Sequence, residues 1–178
     1  TSRTDGQKID WETATLPAND AAMLIPDTLV IDQAVELQVS GDAALDAFGF
    51  VVLAGSFELT KQSDVTIDDG TAGPVEAVQA DVLSGSLTNV GIFVGTGGAL
   101  SAQNLATATV ETTDAIGFSA AGSVDLVLVK DRDTANTYTA LEAGLMNVGM
   151  VGISTDFKLT VSGTAQINKT NRVDGQKI

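Results

Sequence analysis

Asp156-Phe157-Lys158-Leu159-Thr160-Val161-Ser162-Gly163-Thr164-Ala165-Gln166-Ile167-Asn168 alternates without a break between polar residues and apolar or small ones. Successive side chains of a strand point to opposite faces. Phe157, Leu159, Val161, Gly163, Ala165 and Ile167 therefore share one face, and the polar residues share the other. The period of two predicts a strand over 155–168 with one buried and one wet face. Residues 35–43 repeat the pattern, with Val35, Leu37, Val39, Gly41 and Ala43 inward and Glu36, Gln38, Ser40 and Asp42 outward.

Working outward, the segments 48–59, 82–95, 118–129 and 138–153 are apolar on both faces, with many small side chains. Strands of that kind are covered on each side. A helical period is missing from most of the chain. Residues 10–24, ended by Pro26, are the one stretch that suits a short helical turn or loop. The prediction is an all-β unit with strands over 35–60, 75–95, 115–130 and 137–168. Its buried set includes Phe50, Leu59, Leu87, Val90, Phe118, Leu126, Leu145, Val148, Phe157, Leu159 and Val161.

A small glycine-containing step recurs inside these strands: Ser40-Gly41, Ala54-Gly55-Ser56, Ser84-Gly85-Ser86, Ala121-Gly122-Ser123, Ala143-Gly144 and Ser162-Gly163. Glycine inside a strand packs nothing and marks a bend, a bulge or a close backbone approach. The steps read as a row of strand bends, with hairpin turns as the competing reading.

Longer segments also resemble one another. Asp46–Phe50 matches Asp114–Phe118, Ala54–Leu59 matches Ala121–Leu126, Leu87–Gly91 matches Leu145–Gly149, and Leu37–Gly41 matches Leu159–Gly163. Thr1–Ile9 and Thr170–Ile178 agree at seven of nine positions, 169 residues apart. Self-similarity of this kind is the signature of a repeat architecture. The expected organisation is an inter-repeat junction and loop segment at 1–34, a β-repeat unit at 35–169 and the start of a further repeat at 170–178.

Composition narrows the chemistry. Hydrophobic residues make up 44% and aromatics 4%, so the apolar mass is Ala, Val and Leu, which suits closely stacked strands. Nine basic residues against 23 acidic ones give a net charge of −14, which repels nucleic acid and anionic membrane. The sequence has no Cys and no His. Disulfides, thiol nucleophiles, zinc–thiolate sites, the Ser-His-Asp triad and imidazole ligands are thereby excluded. Paired-carboxylate chemistry stays open in principle, but 23 acids make some pair inevitable and so identify none.

Asp131-x-Asp133-x-x-Asn136 places three oxygen donors in one short loop, the donor type calcium takes. The spacing is not that of an EF-hand, and a polar turn capping its own backbone explains it equally. Asp64, Asp68 and Asp69 read the same way. Gly95-Thr96-Gly97-Gly98 lacks the following Lys and helix of a phosphate cradle. Trp11 and Tyr138 are the rings that would stack on a carbohydrate if exposed. Asn168-Lys169-Thr170 fits a glycosylation acceptor, and residues 96–113 read as a long mobile surface loop.

Val90-Gly91-Ile92-Phe93-Val94-Gly95, Tyr138-Thr139-Ala140-Leu141, Asn147-Val148-Gly149-Met150-Val151-Gly152-Ile153 and Phe157-x-Leu159-x-Val161-x-Gly163 resemble units of very large bacterial β-strand-repeat surface proteins of adhesin-like or matrix-like type. The resemblance covers most of 35–178. It implies secretion to the cell surface, tandem arrays and a structural or adhesive role, and supplies no catalytic residues. The resulting expectation is an all-β tandem-repeat unit, a broad β-solenoid or an elongated β-sandwich with glycine bends. Its function is that of a structural unit in a giant extracellular fibre, sheath or adhesin stalk. The alternative is a cell-surface carbohydrate- or calcium-binding β module. The expected partners are neighbouring repeats, with no nucleic acid, no membrane insertion and no enzymatic activity.

Overall fold

In the computed structural model the described residues are 8–14, 29, 31–68, 77–153, 159–173 and 175. They form strands β1 (Val35–Ala47), β2 (Val51–Asp68), β3 (Ala77–Thr96), β4 (Ala99–Leu100), β5 (Val110–Glu111), β6 (Ile116–Asp131), β7 (Thr137–Val151) and β8 (Thr160–Thr170). One turn of 3-10 helix, η1 (Leu105–Thr107), is the only helix among them. The long strands make a six-stranded antiparallel sheet in the order β1-β2-β3-β6-β7-β8, and the short pair β4-β5 stands apart. Each long strand pairs with the next long one along the chain, and β1 and β8 are the open edges.

The ladder converts the alternation into two contrasting faces. One continuous row across the strands is Val39, Leu59, Gly85, Leu126, Leu141 and Ile167; the next is Gly41, Phe57, Leu87, Val124, Ala143 and Ala165. Between them, pointing the other way, lie Ser40, Glu58, Ser86, Asp125, Glu142 and Gln166.

Holding that phase over strands of 15 to 20 residues takes correction. In β3 Leu87 and Val90 must share a face, yet they are three residues apart. The pairing shifts between them, and the extra residue Asn89 sits at φ 53°. The same happens in β7, where the register shifts between Leu145 and Val148 and Asn147 sits at φ 54°. In β2 the shift between Gln62 and Val65 holds Asp64 at φ 58°. Each is a β-bulge. Asn and Asp accept the left-handed conformation more readily than other non-glycine residues, which is why they occupy these positions.

The glycine steps divide accordingly. Gly55 and Gly122 flank Val90 at a bulge, and their backbones are closely approached: an added methyl on Gly122 would lie 2.3 Å from the Gly144 carbonyl oxygen. Gly85 pairs regularly with Leu59 and Leu126, and Gly163 pairs with Leu145 beside open space. None of these four glycines has a positive φ; the left-handed angles at the β3 and β7 bulges belong to Asn89 and Asn147. Asp46–Phe50 and Asp114–Phe118 also differ. Phe48 and Gly49 (φ 57° and 69°) form the tight β1–β2 turn, whereas Ile116 and Gly117 open β6.

Residues 97–115 fold back as a small cover instead of a free loop. Ala99 and Leu100 pair with Glu111 and Val110, and the Asn104 side chain caps η1 by accepting from the Ala106 amide at 3.1 Å. Leu100 and Val110 close over Val52, Phe93 and Ala115 on the polar side of the sheet, forming one small core. A second gathers Ala80, Val129 and Tyr138 at the other end. Neither core contains a residue of the expected buried set, of which Val90, Leu126 and Val148 are half-buried. Phe50, Leu59, Leu87, Phe118, Leu145, Leu159 and Val161 are exposed, because the alternation places all but Phe50 on a face that no described element covers. Phe157, Asp69, the span 15–24, residues 1–7 and residues 174 and 176–178 lie outside the described residues.

The bulges make a direct prediction. Asn89→Val or Asn147→Val forces a β-branched residue into the left-handed region and should destabilise the sheet by about 1–3 kcal/mol. Asn→Gly at either position should stay within about 1 kcal/mol of the parent in urea unfolding. Equal effects of Val and Gly would show that the bulge conformation is not the constraint.

Candidate functional site

The Asp131 loop joins β6 to β7. Asp131 is buried, and its carboxylate accepts from the Asp133 amide at 2.8 Å, the Thr134 amide at 3.1 Å and the Thr134 hydroxyl. Its own amide donates to the Asn136 carbonyl at 2.9 Å. The Thr134 hydroxyl, with the two amides behind it, holds the Asp131 carboxyl below the usual aspartate range. Asp131 thus stabilises the turn it belongs to, while Asp133 points to solvent. No group of three or more acidic residues converges as a metal cluster among the described residues. Asp64, the second acidic candidate, pairs with Arg132, whose Nε also lies 3.9 Å from Asp81.

Glu36 ties β1 to β2. It accepts from the Ser63 hydroxyl, pairs with Lys61 and lies 3.5 Å from the Lys8 ammonium. Its carboxyl falls from 4.5 to about 2, chiefly through the Lys61 hydrogen bond and then that of Ser63. The Lys61 ammonium is raised in return. An open hollow of about 270 Å³ adjoins it at Lys61, lined mainly by Val82, Leu83, Leu128, Val129 and Tyr138. Tyr138 is buried against Ala80 and Val129 and offers no stacking surface, while Trp11 is half-buried with its amide bonded to the Ile31 carbonyl at 2.8 Å.

An open groove of about 650 Å³ runs on the polar face between β5 and the two Asn bulges. Hydroxyls of Thr88, Thr109, Ser119 and Ser123 and the residues Asn89 and Asn147 line it, with no charged group. The dominant feature lies on the opposite side. Leu45, Leu87, Val94, Phe118, Leu145 and Val161 are each between 44% and 53% exposed there, and no charged side chain occupies the rows they define. Single exposed apolar residues are ordinary, but a contiguous sheet face of them marks a surface meant to be covered.

Comparison with known protein families, with curated proteins and with solved structures finds no match to this chain. The reading of the site therefore rests on its own geometry. No helix among the described residues is long and apolar enough to cross a membrane.

Two outcomes check the polar sites. Asp131→Ala should cost about 1–3 kcal/mol by leaving turn donors without their acceptor. Calcium at millimolar concentration should leave the parent melting temperature unmoved; an upward shift lost in Asp131→Ala would make the loop a cation site. Glu36 is a carboxyl with a depressed folded value, so its contribution is present above pH 4.5 and lost as pH falls towards about 2. The parent should lose more stability than Glu36→Gln between those limits, and the difference should shrink in high salt because the pair is half-exposed. Parallel acid melting curves would remove Glu36 from the account.

Proposed function

We propose that this chain is a structural repeat unit of an extended extracellular assembly, a fibre, sheath or adhesin stalk. The observation that carries the reading is a six-stranded sheet with one face whose central rows are apolar and uncharged and whose other face is polar. Such a sheet is one half of a layered structure, since a stable domain buries an apolar sheet face against another layer. The near-identity of 1–9 and 170–178 supplies neighbours of the same kind. The resemblance to bacterial β-strand-repeat surface proteins supports the same role and an extracellular setting. A broad solenoid and an elongated sandwich are both ways for successive units to cover one another.

A second reading, a carbohydrate-binding module, is favoured by the uncharged hydroxyl- and amide-lined groove beside Asn89 and Asn147. It lacks a stacking ring, since Tyr138 is buried elsewhere.

The deciding measurement is the mass of the native polypeptide, together with electron microscopy of polypeptides carrying one, two and four tandem copies. The expected result is a native mass of many units and a particle that lengthens by a constant step per copy. A native polypeptide of one 178-residue unit, or tandem copies tumbling as independent beads, would sink the reading.

A further inference from the structure

We propose that the apolar face of the sheet docks on the same face of a second copy of this chain, sheet on sheet. The inference rests on the reading of the chain as an assembly unit and names the surface and partner that reading leaves open.

The size is right. Six strands about 4.8 Å apart, each contributing about ten residues at ~3.3 Å, give a face of roughly 900 Å². A stable interface buries about 800 Å² from each partner, whereas the largest apolar patch on a typical monomer is about 300–600 Å².

The charge distribution is also right. With a net charge of −14, two copies repel at most of their surfaces. The apolar rows carry no charged side chain, so closing them desolvates no ion. Acids such as Glu58, Asp125 and Glu142 lie on the opposite side of the sheet, facing away from the contact. Charges enter the apolar side at its border, where Lys61 and Lys169 stand in the row of Leu83 and Leu128 and Asp81 and Lys130 form the row beyond it.

The relief of the face selects a copy over lipid. One central row reads Ala43, Gly55, Val90, Gly122, Leu145, Gly163, so large side chains stand beside hollows. The Gly163 hollow is open: an added methyl would meet nothing within 4 Å. Packed sheets interdigitate side chains from their inner faces about 10 Å apart, at about 30°. A surface holding both projections and a hollow can complement itself across a twofold axis, with an apolar side chain such as Leu145 of one copy entering the Gly163 hollow of the other. A lipid-facing surface gains nothing from glycine in these positions.

The absence of Cys makes the test clean. The 178-residue chain is studied in detergent-free buffer by sedimentation, and single nitroxides are placed by Leu145→Cys on the apolar face and Gln166→Cys on the polar one. The expected result is a dimer or larger species, with label pairs at 145 within about 20 Å and label pairs at 166 farther apart by about two strand-layer spacings. Leu145→Glu should weaken association at least roughly tenfold while the far-ultraviolet β spectrum is kept. Gly163→Leu fills the hollow, its Cβ meeting nothing of its own unit within 4 Å, and should weaken association too. It keeps the test valid if Leu145→Glu misfolds. A folded monomer with a mobile 145 label overturns the inference. So does a 145 label that becomes protected only in phosphatidylcholine vesicles, which makes lipid the occupant. Association that survives both variants, with label pairs at 145 no closer than those at 166, overturns face docking but leaves the structural-unit reading standing through edge pairing. That reading falls instead with a one-unit native mass.

Discussion

The phase of the side-chain alternation is the constraint on which everything else depends. A one-residue slip in a strand sends its apolar set to the opposite face. β2, β3 and β7 run too long for an uninterrupted ladder to keep their apolar residues together. Asp64, Asn89 and Asn147 each absorb one extra residue in a left-handed conformation, and the apolar phase resumes beyond them. The bulges therefore decide which side of the sheet is apolar, and the flanking Gly55 and Gly122 give the neighbouring backbones room to follow.

That solution leaves the unit with little interior of its own. The two small clusters lie at opposite ends of the polar side, around Phe93 and around Tyr138, and neither draws on the main apolar rows. Ordering a residue costs about 1–2 kcal/mol in backbone entropy, and hydrophobic burial is the main term that offsets it. Many of this chain's large apolar side chains are still half-exposed in the single unit. Stability is thus coupled to covering that face, as in repeat arrays whose units are stabilised by their neighbours. The β4–η1–β5 cover shows the same logic on a small scale: Val52 and Phe93 are apolar residues on the polar side, and 97–115 folds back to bury them.

The strands were legible because alternation is a local property. Thr160–Thr170 and Val35–Ala47 follow directly from period two, and the faces assigned to Leu159, Val161, Gly163, Val39 and Gly41 agree with the ladder. What alternation cannot supply is the identity of the covering layer, which is why Leu87, Phe118 and Leu145, expected to be buried in segments covered on both sides, lie on the apolar face and are exposed. The bulges left a readable trace, an Asn inside the otherwise apolar runs Leu87–Gly91 and Leu145–Gly149. The trace was attributable to strand irregularity, but glycine was the more obvious carrier of a positive angle. In the Asp131 loop the donors are in sequence, but their orientation is tertiary. The carboxylate turns inward to its own Thr134 because β6 and β7 pair right up to the turn.

The separation of charge from the apolar face has a consequence for how units meet. Acidic side chains concentrated on the other face and in loops make random collisions between copies repulsive at low ionic strength. Only an approach that presents the uncharged rows to each other avoids that repulsion and removes apolar area from water. The edges are less permissive: β1 carries Glu36, Asp42 and Asp46, so edge-to-edge approach of acidic strands meets like charge unless β8, with Lys169, is the partner. Face contact and β1–β8 contact use different surfaces and do not compete. An assembly of such sheets can close its apolar faces in pairs and still extend along its edges, which allows a two-layer ribbon to grow while its outer surfaces stay polar.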